Sequence, residues 1–179
     1  MAKTYLCLPG WLDCGENYGY SNSLNIWEEK MDLNKTIDTD YIIGYSVGAI
    51  LALKYWQNNK NLSLILVNPI IEKKGLFLRW LKCLLKEGTP LSFRRLRIII
   101  RFVSGLTKLK KLLTINSLEI IKKIPKEKII ILRGENDNYL CDKSSLSSFA
   151  SQGIKIIDIN NAAHNWNNNF NQYITSLLN

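Results

Sequence analysis

One pentapeptide constrains this chain more than any other stretch: Gly44-Tyr45-Ser46-Val47-Gly48. It follows the apolar run Tyr41-Ile42-Ile43 and opens a helical stretch from Ala49 to Trp56. A strand that turns directly into a helix around one serine leaves almost no room for neighbouring side chains. Small residues two before and two after the serine relieve that crowding, and the sharp turn holds the serine backbone in a strained conformation. The hydroxyl then stands at the carboxyl end of the strand, and the helix N-terminus points at it.

Around that turn the chain alternates between strand and helix patterns. Strands are expected at 4–8, 41–45, 62–67, 128–133 and 154–159, and helices near 22–31, 47–58, 143–151 and 167–178. Continuous apolar runs such as Leu62-Ser63-Leu64-Ile65-Leu66-Val67 suit parallel strands buried on both faces. Between Pro69 and Pro125 the pattern becomes purely helical, with segments at 75–86, 92–103, 106–113 and 117–123. Gly88-Thr89-Pro90 breaks the first from the second. The length of 179 residues predicts one domain, 1–179, and 46% hydrophobic residues suffice for a core.

Two further segments carry reactive residue types in a meaningful order. Ile129-Ile130-Ile131-Leu132-Arg133-Gly134 runs into a loop bearing Asp137, in a G-x-x-D pattern. Ile154 to Ile159 is followed by Asn160-Asn161-Ala162-Ala163-His164, and His164 is the only histidine in the chain. Ser46, Asp137 and His164 each follow an expected strand, in the chain order of a nucleophile, an acid and a base. Singly, each has an ordinary reading as a helix start, a turn residue and a loop residue. Together they favour a catalytic triad, with Glu135 and Asp142 as lower-ranked acids.

On these residues the chain resembles the α/β-hydrolase family, from about Tyr5 to the C-terminus. Leu6-Cys7-Leu8-Pro9-Gly10-Trp11 looks like the family's first oxyanion segment, with Pro9 where the family often has histidine. The resemblance implies backbone N–H donors at Trp11 and Val47. It also implies a helical cap at about 70–125, the place where the family carries its lids. Only 36 residues separate Gly10 from Ser46, too few for the family's usual strand and helix there, so a reduced sheet of about five parallel strands is expected. The fold class is thus a reduced α/β-hydrolase fold, a mostly parallel sheet flanked by helices, with a basic helical cap insertion.

Charge is concentrated in that insertion. Residues 72–128 hold 16 of the 24 basic residues against four glutamates, which leaves the rest of the chain slightly acidic within a net charge of +9. Arg94, Arg97 and Arg101 share one helix face by their spacing and form the candidate substrate- or partner-binding set. Gly10-Trp11 and Ala162-Ala163-His164 are similar to the small hydrolases that demethylate pimeloyl-carrier-protein methyl ester in biotin synthesis, which also have helical caps with arginines. That resemblance implies a small-molecule acyl ester as substrate and acyl carrier protein as partner. The alternatives are a lipase or lysophospholipase-like enzyme on anionic membrane surfaces, a thioesterase or acyltransferase, and a non-catalytic binding module on the same fold. The basic segment has no nucleic-acid motif and is rich in leucine and isoleucine, so no nucleic-acid partner is expected.

The four cysteines, Cys7, Cys14, Cys83 and Cys141, show no metal or C-x-x-C spacing and read as free thiols in a reducing cytosol. No cofactor and no metal are expected. The N-terminus leads straight into a strand and no 18-residue apolar run exists, so a cytoplasmic enzyme without signal peptide or transmembrane helix is expected.

Overall fold

Apolar runs that lie parallel must be joined by crossovers that cover the sheet faces, and the computed structural model shows that arrangement. The structure describes residues 3–11, 13–27, 31–87 and 97–178. Five strands form one fully parallel sheet in the order β1 (Tyr5–Leu8), β2 (Tyr41–Tyr45), β3 (Ser63–Val67), β4 (Ile129–Gly134) and β5 (Lys155–Ile159). The helices are α1 (Gly48–Asn58), α2 (Leu76–Glu87), α3 (Arg97–Leu113), α4 (Ser117–Ile121), α5 (Lys143–Ala150) and α6 (Asn168–Leu178).

Alternation along the strands divides the core into two layers. Ile42, Leu64, Leu66, Ile129 and Ile131 face α1, α4 and α5 and join Leu51, Tyr55, Ile120 and Phe149. Ile43, Ile65, Val67 and Leu132 face the other way and join Tyr18, Phe170 and Ile174, the last two from α6. Because each strand is added on the same side of the last, the right-handed crossover rule puts α1, α4 and α5 on one face. Among the described helices α6, after the final strand, covers the other face, beside Tyr18 and Tyr20 of the β1–β2 connection.

Two expected elements differ. Residues 22–27 of the expected helix at 22–31 are not helical. They lie beside β1, where Cys7 N–H donates to Asn22 C=O at 2.9 Å and Leu24 N–H donates to Cys7 C=O at 3.0 Å. The edge of β1 offers these unpaired groups, and satisfying them outweighs the weak local helical pattern. The expected break between 92–103 and 106–113 is absent, since α3 runs through Gly105 without interruption. A glycine inside a helix costs only about 1 kcal/mol, which packing can offset. Residues 92–96 lie outside the described residues. Among the described residues no helix is long and apolar enough to cross a membrane.

Candidate active site

The turn after β2 is built as its glycines require. Ser46 has φ of 54°, a left-handed value uncommon for a residue with a side chain, and its N–H donates to Val67 C=O at 2.9 Å. A Cβ at Gly44 would stand 2.7 Å from Ala49 Cα, and one at Gly48 would stand 2.3 Å from Leu8 C=O. Neither position admits any other residue without moving backbone. The serine is thereby held at the carboxyl edge of the sheet, with α1 starting at Gly48.

The loops after β4 and β5 bring the other two residues to it. His164 Nε2 lies 3.0 Å from Ser46 Oγ, and His164 Nδ1 lies 2.6 Å from Asp137 Oδ2. Ser46 and His164 are buried, and Asp137 is completely so. The second Asp137 oxygen accepts from the N–H groups of Leu140 at 3.0 Å and Tyr139 at 3.2 Å. Burial works to raise the Asp137 pKa, but the His164 hydrogen bond and charge, with the loop N–H groups, hold it below the ordinary carboxylate value. An ionised Asp137 accepts a hydrogen bond from Nδ1–H, which leaves Nε2 free to accept from Ser46. Glu135 is exposed, and Asp142 caps α5 by accepting from Ser145 N–H at 2.8 Å, so neither lower-ranked acid reaches the histidine.

Several supporting residues were not evident from local sequence pattern. Asn68 follows β3 with φ of 42° and is fully buried. Its Nδ2 donates to the C=O groups of Ala163 and His164, both at 2.8 Å, and its Oδ1 accepts from Gly134 N–H at 2.7 Å. Tyr45 Oη donates to the same His164 C=O at 2.9 Å. The buried Arg133 donates to the C=O groups of Cys141, Glu135 and Asp137 at 2.8, 3.0 and 3.2 Å and pairs with Asp158 at 2.7 Å. The acid loop is therefore folded around a guanidinium. The only sequence signal was an arginine inside an otherwise apolar strand.

A cavity of about 300 Å³ opens on Ser46 and His164. Trp11 and Val47 are both on its wall, at the ends of β1 and β2. Val47 sits just before the first residue of α1, where N–H groups lack intrahelical acceptors. Asp13 and Asn165 also line it, and the remaining wall is mainly apolar, from Leu76, Trp80 and Leu84 of α2 and Leu106, Leu109 and Leu113 of α3. Trp11 and Trp80 meet edge to face, with centroids 5.3 Å apart. Arg94 lies outside the described residues. Arg97 and Arg101 fall within α3, but their side chains are also outside the description. Among the described residues no group of three or more His, Cys, Asp or Glu side chains is placed to hold a metal ion.

No protein-family model matches the sequence, and no curated protein matches it. Solved structures do resemble it. The N-formylmaleamic acid deformylase from Pseudomonas putida S16 superposes with a TM-score of 0.61 at 14% identity, over 99% of this chain and 92% of that one. MGS-MChE2, an α/β-hydrolase enzyme from the sediment metagenome of the Mar Chica lagoon in Morocco, gives 0.58 at 15% identity, over 99% and 90%. A thermophilic esterase gives the same score, identity and coverage. With its five parallel strands, this chain has a reduced α/β-hydrolase fold.

Proposed function

We propose that this protein is a serine hydrolase of acyl esters. The observation that carries the reading is the Ser46–His164–Asp137 hydrogen-bond chain opening on an apolar cavity. Ser46 Oγ attacks the acyl carbonyl as His164 Nε2 takes its proton, and the carbonyl oxygen becomes an oxyanion. The Trp11 and Val47 N–H groups receive that oxyanion, each such donor typically contributing about 100-fold or more in rate. The carbonyl re-forms, the ester C–O bond breaks, and His164 gives its proton to the departing alkoxide. Water then attacks the acyl-enzyme, gives a proton to His164, and Ser46 regains it as the acid leaves. Asp137 orients the imidazole and stabilises its charged form throughout.

For the substrate, we infer a carrier-bound acyl methyl ester of the pimeloyl type. Supporting it are the resemblance at Gly10-Trp11 and Ala162-Ala163-His164, the basic 72–128 segment, and cavity walls that suit a methylene chain. An acidic carrier protein would meet the basic segment, with Arg94, Arg97 and Arg101 as its contacts. The test is hydrolysis of methyl pimeloyl-carrier protein beside a short p-nitrophenyl ester, with Ser46→Ala and His164→Ala as controls. Serine-dependent turnover that prefers the carrier-bound ester supports the whole reading. Turnover of the small ester alone removes the carrier, and equal turnover by Ser46→Ala removes the serine hydrolase.

One observation favours an interfacial enzyme as second reading. The outward face of α2 leaves Phe77 70% and Leu85 77% exposed, with Leu78 and Leu81 between them and Lys82 and Lys86 alongside. A basic, apolar helix face of this kind binds anionic lipid surfaces. That reading expects sedimentation with anionic vesicles, lost in the Leu78→Glu/Leu85→Glu variant. Absence of vesicle binding by the parent protein would eliminate it.

A further inference from the structure

The peptide of His164 is held at both ends, by different parts of the molecule. Its C=O accepts from Tyr45 and Asn68, which belong to the ends of β2 and β3. Its N–H donates to Glu87 Oε2 at 2.9 Å, and Glu87 is the last residue of α2. The same carboxylate oxygen accepts from Asn165 N–H at 3.2 Å, and Asn165 Nδ2 donates to Glu87 C=O at 3.3 Å. Three hydrogen bonds thus tie the helix that walls the cavity to the loop that carries the base.

A carboxylate at a helix C-terminus faces the negative end of the macrodipole and is unfavourable there. Two backbone N–H donors on one oxygen offset that cost, because charge-assisted hydrogen bonds are about twice as strong as neutral ones. One turn earlier, Cys83 packs beside the carboxylate. Burial first, and the Glu87 charge next, push its thiol up to about 12, so it stays protonated. Other residues of α2, Leu76, Trp80 and Leu84, line the cavity above Ser46. Displacing α2 would therefore open the cavity and release the His164 N–H together.

Resting on the Ser46–His164 reading above, we propose that Glu87 is a positioning residue that couples the seating of α2 to the orientation of His164. The sheet fixes one side of the histidine peptide, and α2 fixes the other only when it is docked. The imidazole is then aligned between Asp137 and Ser46 when the cavity is closed, and less well when it is open.

The test compares Glu87→Ala with Glu87→Gln in the full chain. The glutamine amide oxygen accepts from the same N–H groups, whereas alanine accepts from neither. Because His164 is the only histidine, imidazole proton and nitrogen NMR signals report on it alone. Glu87→Ala is expected to lose kcat by about tenfold or more on a short p-nitrophenyl ester, with KM little changed. Its Nδ1 proton signal should broaden, and Glu87→Gln should recover most of both. Parent-like kcat and an unchanged imidazole spectrum in Glu87→Ala would overturn the proposal. So would an equal loss in both variants that tracks only a fall in melting temperature. An inactive parent protein would count against the hydrolase reading instead, and the imidazole spectra would still decide the role of Glu87.

Discussion

Asn68→Ala removes three hydrogen bonds from the crossing point of β3, β4 and the histidine loop. The buried Gly134 N–H loses its acceptor, which costs about 1–3 kcal/mol. The half-buried Ala163 C=O loses its donor, at about 0.5–1.5 kcal/mol. His164 C=O keeps Tyr45 and adds little. Alanine at a φ of 42° adds about 1–2 kcal/mol, since asparagine tolerates this region better than other side chains. The sum is about 2.5–6.5 kcal/mol, against a total stability of about 5–15 kcal/mol for an ordinary domain. Urea unfolding followed by tryptophan fluorescence measures the difference. Asn68→Gly removes the same bonds without the left-handed penalty and should be the milder of the two. A cost for Asn68→Ala within about 0.5 kcal/mol of zero, the range of an ordinary surface change, would refute the reasoning.

Other perturbations separate the parts of the site. A Cβ at Gly134 would stand 2.1 Å from Ala163 C=O, so Gly134→Ala must shift the backbone of the histidine loop or of the strand end it meets. Ester turnover should fall by about 100-fold, as a misplacement of about 1 Å typically costs, and unchanged kcat would contradict it. Arg133→Met leaves three carbonyls of the acid loop without their donor and should destabilise by about 3 kcal/mol in the same unfolding assay. The depressed pKa of Asp137 sets a sign for acid stability. Its contribution is complete above the unfolded value of 3.8 and is lost as pH falls through the lower folded value. The stability gap between the parent and Asp137→Asn should therefore narrow on acidification below about pH 4, and a constant gap would contradict this.

The sheet was legible because parallel strands buried on both faces must be apolar throughout, and Ile42-Ile43 or Leu64-Ile65-Leu66 leave few other readings. The serine turn was legible for a related reason. Gly44 and Gly48 are fixed by contacts within a few residues of Ser46 and with the adjoining strand end. Segment 22–27 was not, because its hydrogen-bond partners are on β1 and a local pattern carries no information about a distant strand edge. Asn68 and Glu87 were missed for the same cause. Their partners in the histidine loop are 95 and 77 residues away, and each looks locally like a turn asparagine or a surface glutamate. Arg133 carries no local signal beyond being a charge within an apolar strand, and its partners in the acid loop follow from the turn and not from the sequence pattern.

The most direct measurement is reaction with a fluorophosphonate, with the modified residue located by mass spectrometry in the parent, His164→Ala and Asp137→Asn. The geometry predicts a single stoichiometric adduct on Ser46 in the parent, with labelling slowed by orders of magnitude when His164 is removed. No adduct, or labelling of Ser46 at the same rate without His164, would contradict the account.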